Sequence, residues 1–295
     1  MERPRIFTVS AWSAVSAPLC EVGAWRDDPG ALPSGEMPRR FLRHADEQTV
    51  AACRAVLGAI ADDRRSTVLE RPTADDGDPH RSPLLNDQWG VLAASCGAGR
   101  IMGAATLAAT RTAGSAGVST HVVPQCSLHA AASSISVLLG LHGPHFGIGG
   151  GPEAFGEALM VADAMLAFVP QKAGLWLVLT GWQQEPLRDD AGIPMKETGD
   201  PILHAFAMAL LRETGIGGIE VELARAEDGV DARSPAMLPA DPVNRSAGTR
   251  VSLGEVVAAV AAAGEGRSIT LESAPRSDAI FSRAGMRASD GGVTR

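Results

Sequence analysis

The stretch GLHGPHFGIGGGPEAFGEALMVADAML, Gly140 to Leu166, decides how the rest of the chain is read. A β-like segment closes at Phe146 or Ile148, and Gly149, Gly150 and Gly151 make a turn. Pro152 and Glu153 then open a long apolar helix, with Pro152 expected at or next to its first position, where a missing N–H is harmless. Strand, glycine turn and helix start together form an elbow of the kind that holds a nucleophile. No Ser, Cys or Thr lies between Phe146 and Leu166. The elbow is present and its nucleophile is not. The helix start still offers free N–H groups and a partial positive charge. The glycine turn therefore reads either as a backbone seat for a carboxylate or thioester oxygen, or as a turn that allows close packing.

Working outward, strands and helices alternate. Arg5–Val15 reads as a buried first strand, and Asp27–Arg40 as a loop rich in Pro and Gly. Asp46–Asp63 has apolar residues at Val50, Cys53, Val56, Leu57 and Ile60, a helical period. Ser66–Asp87 decays from a possible short strand into a polar loop. Gln88–Gly99 is a continuous apolar run that fits a central strand, Arg100–Gly114 a helix, and Cys126–Leu141 a second helix of small residues. Glu153–Val169 is apolar nearly all round and is expected to be buried on most sides. Gly174–Trp182 is another buried strand and Glu185–Asp200 an exposed loop. In Pro201–Glu213, His204, Phe206, Met208 and Leu210 alternate with alanines, a period of two that favours strand against alanine's helix propensity. Gly217–Glu227 follows after a short turn, which predicts a hairpin. Arg233–Thr249 reads as a linker, Val251–Ser273 as a helix plus a strand, and the last residues as frayed. This alternation predicts a layered α/β fold with a mixed sheet.

Composition narrows the function. The 295 residues carry a formal charge of −8, which gives nucleic-acid binding no electrostatic support. The N-terminus has no apolar run of signal-peptide length and no segment reaches the roughly 20 apolar residues of a membrane span. Cys20, Cys53, Cys96 and Cys126 lack paired spacing, which fits reduced thiols and a cytoplasmic location.

Candidate chemistry concentrates before the elbow. Cys126 and His129 are expected one helical turn apart, as a thiol–imidazole pair or as a buried thiol beside a backbone-bonded histidine. Cys126, His129, His142 and His145 superficially match a zinc spacing, but a helix over Ala130–Leu141 spans near 18 Å at roughly 1.5 Å per residue. No metal or other cofactor is expected. Trp12, Trp25, Trp89, Trp176 and Trp182 read as core or interface anchors.

The order strand, helix, VVP (Val122–Pro124), small-residue helix, LGLHGP (Leu139–Pro144), elbow, helix and LWLVLTGW (Leu175–Trp182) resembles the N-terminal half of β-ketoacyl synthases, which have the thiolase fold. In that family a G-L-x-G-P signature runs into the elbow, with the cysteine eight residues after the proline. Gly140, Leu141, Gly143 and Pro144 match the signature, and the position eight residues beyond Pro144 is Pro152. The sequence is also similar to a shortened, chain-length-factor-like branch found with aryl-polyene and xanthomonadin-type clusters. That branch shares Ala11-Trp12, Ala24-Trp25 and SLHAA (Ser127–Ala131), with Ala130 here in place of its Asn. The resemblance runs from Ile6 to Glu227.

The resemblance implies a layered αβαβα architecture reduced to its first half. Residues 1–229 would form that half, 230–275 a linker with a helix–strand remnant of the second half, and 276–295 a flexible tail. The H-G-T-G-T and N-I-G-H stretches that carry the family's catalytic histidines are missing along with the cysteine, so self-sufficient condensation is not expected. The leading expectation is a non-catalytic partner subunit of an active ketosynthase, in a type II polyene or fatty-acid-like pathway, meeting acyl carrier protein indirectly. Val118–Leu141 would then wall the acyl pocket, with Ala132, Ile135, Leu138 and Leu139 hidden against the partner. Two alternatives stand beside it. One is a thiolase-fold enzyme that decarboxylates or transfers acyl thioesters through Cys126 and His129; the other is a structural homodimer.

Overall fold

The structure, a computed structural model, describes residues 5–32, 40–65, 88–151, 154–168, 174–183, 201–212 and 219–225, with short pieces at 253–254, 257, 271–272 and 279–281. Among the described residues eight strands form one mixed sheet in the order β3-β2-β4-β5-β1-β6-β8-β7. They are β1 (Arg5–Pro18), β2 (Gly90–Cys96), β3 (His145–Gly150), β4 (Leu175–Trp182), β5 (Ile202–Leu211), β6 (Ile219–Arg225), β7 (Leu271–Glu272) and β8 (Ala279–Phe281). Strand β2 runs parallel to β3 and β4; the other pairings are antiparallel. The helices are α1 (Leu19–Val22), α2 (Glu47–Arg65), α3 (Arg100–Ala113), α4 (Val122–Gln125), α5 (Ala130–Leu139) and α6 (Ala154–Phe168).

Side-chain alternation sorts the residues of this sheet onto two faces. On β5, Ala205, Ala207 and Ala209 share the face on which α2 packs. Those methyls keep that surface low, and the missing side chain of Gly58 completes the approach: a Cβ there would stand 2.7 Å from the Ser13 hydroxyl on β1. Helix α5 packs beside α2 against β2 and β3. The opposite face carries His204, Phe206, Met208 and Leu210 and receives α6, whose Phe155 reaches Gly181. Trp89 and Trp176 are fully buried, their rings 5.9 Å apart, and Trp12 packs on Phe206 at 6.0 Å. Burying a large apolar side chain contributes about 1.5–3 kcal/mol, so this double-sided core accounts for the stability of the sheet's centre.

Several expectations are corrected. β5 and β6 do not make a hairpin, because β1 lies between them and pairs with both. A short glycine connection permits a hairpin but does not impose one, whereas a 14-residue first strand with buried Phe7 and Val9 takes a partner on each edge. The helix expected over Cys126–Leu141 is shorter, α5 beginning only at Ala130, and a separate short helix, α4, precedes it. Ser127 Oγ donates to the Pro124 carbonyl at 2.9 Å, capping the short helix with a side chain instead of continuing it. Helix α6 buries one side only: Phe155, Ala158, Leu159, Ala162, Met165 and Leu166 face the sheet, while Glu157, Met160, Ala164 and Ala167 are exposed. Residues 279–281, read as part of a frayed tail, pair with β6 and β7 as β8. The expected loops at 66–87 and 185–200, the linker at 233–249, and Pro152 and Glu153 lie outside the described residues.

Candidate functional site

The elbow forms at the carboxyl end of the parallel strands β3, β2 and β4, the edge where open α/β sheets collect their ligands. Strand β3 runs further than expected. Gly149 and Gly150 belong to it, paired with Ser95 and Cys96, at φ values of +94° and +110° that favour glycine. A Cβ on Gly149 would overlap the Ala154 side chain at the start of α6. Gly149 thus lets the helix start close against the strand end. Gly151 accepts from Ala154 N–H at 3.2 Å.

A neighbouring strand brings a thiol to the elbow's edge. Cys96, at the end of β2, pairs with Gly150 and is half-buried. The sequence shows it only as the close of an apolar strand; its place at a parallel strand's carboxyl end was the available signal. Beneath it lies a buried polar network. Thr180 Oγ1 sits 2.9 Å from Ser95 Oγ, and Gln48 Nε2 donates to the Cys96 carbonyl at 2.7 Å. Asp46 precedes α2 and accepts from Thr49 N–H at 2.8 Å through Oδ1, while its Oδ2 accepts from Gly99 N–H at 3.2 Å. One carboxylate therefore caps a helix and fixes the loop after β2. Burial pushes the Asp46 carboxyl above the ordinary range, against the lowering by its hydrogen bonds to Thr49 and Gly99.

The surroundings of Cys126 and His129 do not favour a catalytic pair. Cys126 closes α4, with its Sγ 3.7 Å from the Gly99 carbonyl. Burial, then the charges of Asp46 and Glu47, raises the thiol, the reverse of what a nucleophilic cysteine needs. His129 stands at the start of α5 and stacks on His145, centroids 5.0 Å apart. Partial burial and the neighbouring His145 lower it. His145 Nδ1 lies 3.3 Å from the Gly143 carbonyl, and His142 is exposed. The zinc-like spacing thus brings His129 and His145 together, and among the described residues no three His, Cys, Asp or Glu side chains group as metal ligands.

The interface candidates on α5 are corrected as well. Ala132 and Ile135 are 0% exposed, Leu138 7% and Leu139 8%, all within this chain's own core. The helix lies between α2 and strands β2 and β3, so these side chains are already spent on folding. Exposed large apolar residues sit elsewhere: Leu107 on α3, Val123 on α4, Val137 on α5, Phe146 on β3 and Met160 on α6. Helix α3 buries none of its fourteen residues. Strand β3 ends the sheet order, with α5 and α6 packed against it.

No family model matches the chain, and no curated protein matches it. Among solved structures it is similar to the ishigamide ketosynthase/chain length factor, with 16% identity, a TM-score of 0.44, 74% of this chain covered and 65% of that one. It is similar also to a ketosynthase in complex with its chain length factor from Xenorhabdus doucetiae, with 14% identity, a TM-score of 0.43, and 74% and 83% covered. A β-ketoacyl synthase from Burkholderia phymatum gives 15% identity, a TM-score of 0.43, and 79% and 67% covered. The chain spans just under two thirds of the length of the first of these.

Proposed function

We propose that this chain is a ketosynthase-like partner subunit, acting beside an active ketosynthase in an acyl-chain-extending pathway of the type II polyene or polyketide kind, without condensing activity of its own. The observation that carries the proposal is the β3 edge. Among the described residues it ends the sheet, which leaves one side of its backbone for pairing; it exposes Phe146 at 53% and is flanked by α5 and α6 with Val137 and Met160 turned outward. A second subunit laid against this edge would cover these side chains and extend the sheet. The missing nucleophile then has a rationale, because the partner supplies the chemistry and this chain shapes the pocket. The pocket-wall role moves from the buried α5 residues to Val118–Val123, of which Val123 is 80% exposed.

The test is co-expression with a ketosynthase from the same genome, with Phe146→Lys as the variant. A buried lysine at the edge is expected to cut co-purification at least tenfold and to change the length of acyl chains on the carrier protein. Wild-type levels of both would contradict the reading.

A further inference from the structure

The antiparallel ladder between β1 and β5 sets Ser16 directly opposite His204, and the Ser16 hydroxyl lies 2.6 Å from His204 Nδ1. Alternation puts both on the sheet face that receives α6. The pair lies in an uninterrupted run of pairing, Ala11 to Pro18 of β1 against Ala209 to Ile202 of β5. On the other flank of His204 the register places Gly181 of β4. A Cβ there would meet Phe155 Cζ at 3.2 Å and Cys96 Cβ at 3.6 Å. The imidazole thus has a hydroxyl on one side and, on the other, a glycine whose side-chain space is filled by Phe155 and Cys96. Ser16 is exposed and His204 half-buried, so a small reagent can reach the hydroxyl. Partial burial lowers His204, which keeps the ring neutral and able to accept a proton near pH 7.

We propose that Ser16 and His204 are a nucleophile–base pair that takes an acyl group from a thioester or activated ester onto Ser16 Oγ. The Ser16 proton passes to His204 Nδ1 as Oγ bonds to the carbonyl carbon. The carbon–sulfur bond of the thioester breaks, and the leaving thiolate takes the proton back from the imidazolium. Water then releases the acid and regenerates the hydroxyl. No electron is gained or lost. The site lies within β1 and β5 and does not use the β3 edge, so it stands or falls apart from the partner role.

The experiment is mass analysis of the full chain treated with a fluorophosphonate probe, and with p-nitrophenyl acetate as a small acyl donor. An adduct on Ser16 is expected, absent in Ser16→Ala and formed about a hundredfold more slowly in His204→Gln, within the usual range for loss of a general base. Its rate should rise with pH through a midpoint below the ordinary histidine value. A second readout separates a base from a merely structural hydrogen bond. The thiol introduced by Ser16→Cys should react with iodoacetamide faster than exposed Cys20, and lose that advantage when His204→Gln is added. No adduct on Ser16, a rate indifferent to His204→Gln, or an introduced thiol no faster than Cys20 would each overturn the proposal.

Discussion

Cys20, Cys53 and Cys126 show how position sets the chemistry of one side chain. Cys20 is exposed; Cys53 is buried within α2, and burial, then the charge of Asp46, pushes its thiol up to about 12. Cys126 lies between them, raised by burial and nearby carboxylates. Thiolate, not thiol, is the reactive form. Iodoacetamide should therefore modify Cys20 first, Cys126 slowly and Cys53 only after unfolding, as peptide mapping over time would show. Rapid modification of Cys126 would revive it as a nucleophile. The histidines set a second expectation. His129 and His204 are both lowered in the fold, so the unfolded chain binds more protons in the window just below the ordinary histidine value. Stability should then rise with pH through that window. Urea midpoints measured between about pH 5.5 and 7 should increase, and the slope should flatten in His204→Gln. A midpoint that falls over this range would show that other groups dominate. Little of this was legible in the sequence, because reactivity there depends on contacts such as Asp46 to Gly99 that join residues 53 positions apart.

At the scale of elements, periodicity was informative where one principle dominated. The alternation in Pro201–Glu213 named β5 correctly against alanine's helix propensity, and the same alanines explain how α2 approaches the sheet. Pairing was not legible, since the hairpin reading of β5 with β6 had no way to register that β1 would enter between them. The elbow's extent was also misjudged. Glycines at 149 and 150 look like a turn in sequence, yet parallel pairing with Ser95 and Cys96 keeps them in β3. Gly147 in the same strand carries a test. A Cβ there would overlap the Leu128 carbonyl and come within 2.6 Å of His129 N, all backbone atoms of the link between α4 and α5. Backbone cannot rotate away as a side chain can. Gly147→Ala should therefore cost about 1–3 kcal/mol or more, seen as a lower thermal midpoint. The same change at exposed Gly23, where a Cβ meets nothing within 4 Å, should not destabilise comparably. Equal midpoints for the two variants would contradict the packing described around β3.

For the whole molecule, the layered α/β class was legible because strands and helices alternate along the chain. The site was half legible. The elbow and its missing nucleophile stand in the sequence, whereas the outward surface does not, because a helix's apolar residues do not say which of them fold inward. Ala132, Ile135, Leu138 and Leu139 turned in; Phe146, Val137 and Met160 turned out. We propose the β3 edge, where Phe146 stands exposed, as the place where a second subunit adds. Amide hydrogen exchange tests that claim most directly, because edge amides exchange freely until another strand or chain covers them. Measured on this chain alone and with a ketosynthase from the same genome, Phe146 to Gly150 should gain at least tenfold protection in the mixture. Stable association that leaves those amides unchanged and protects a surface remote from β3 would contradict the account.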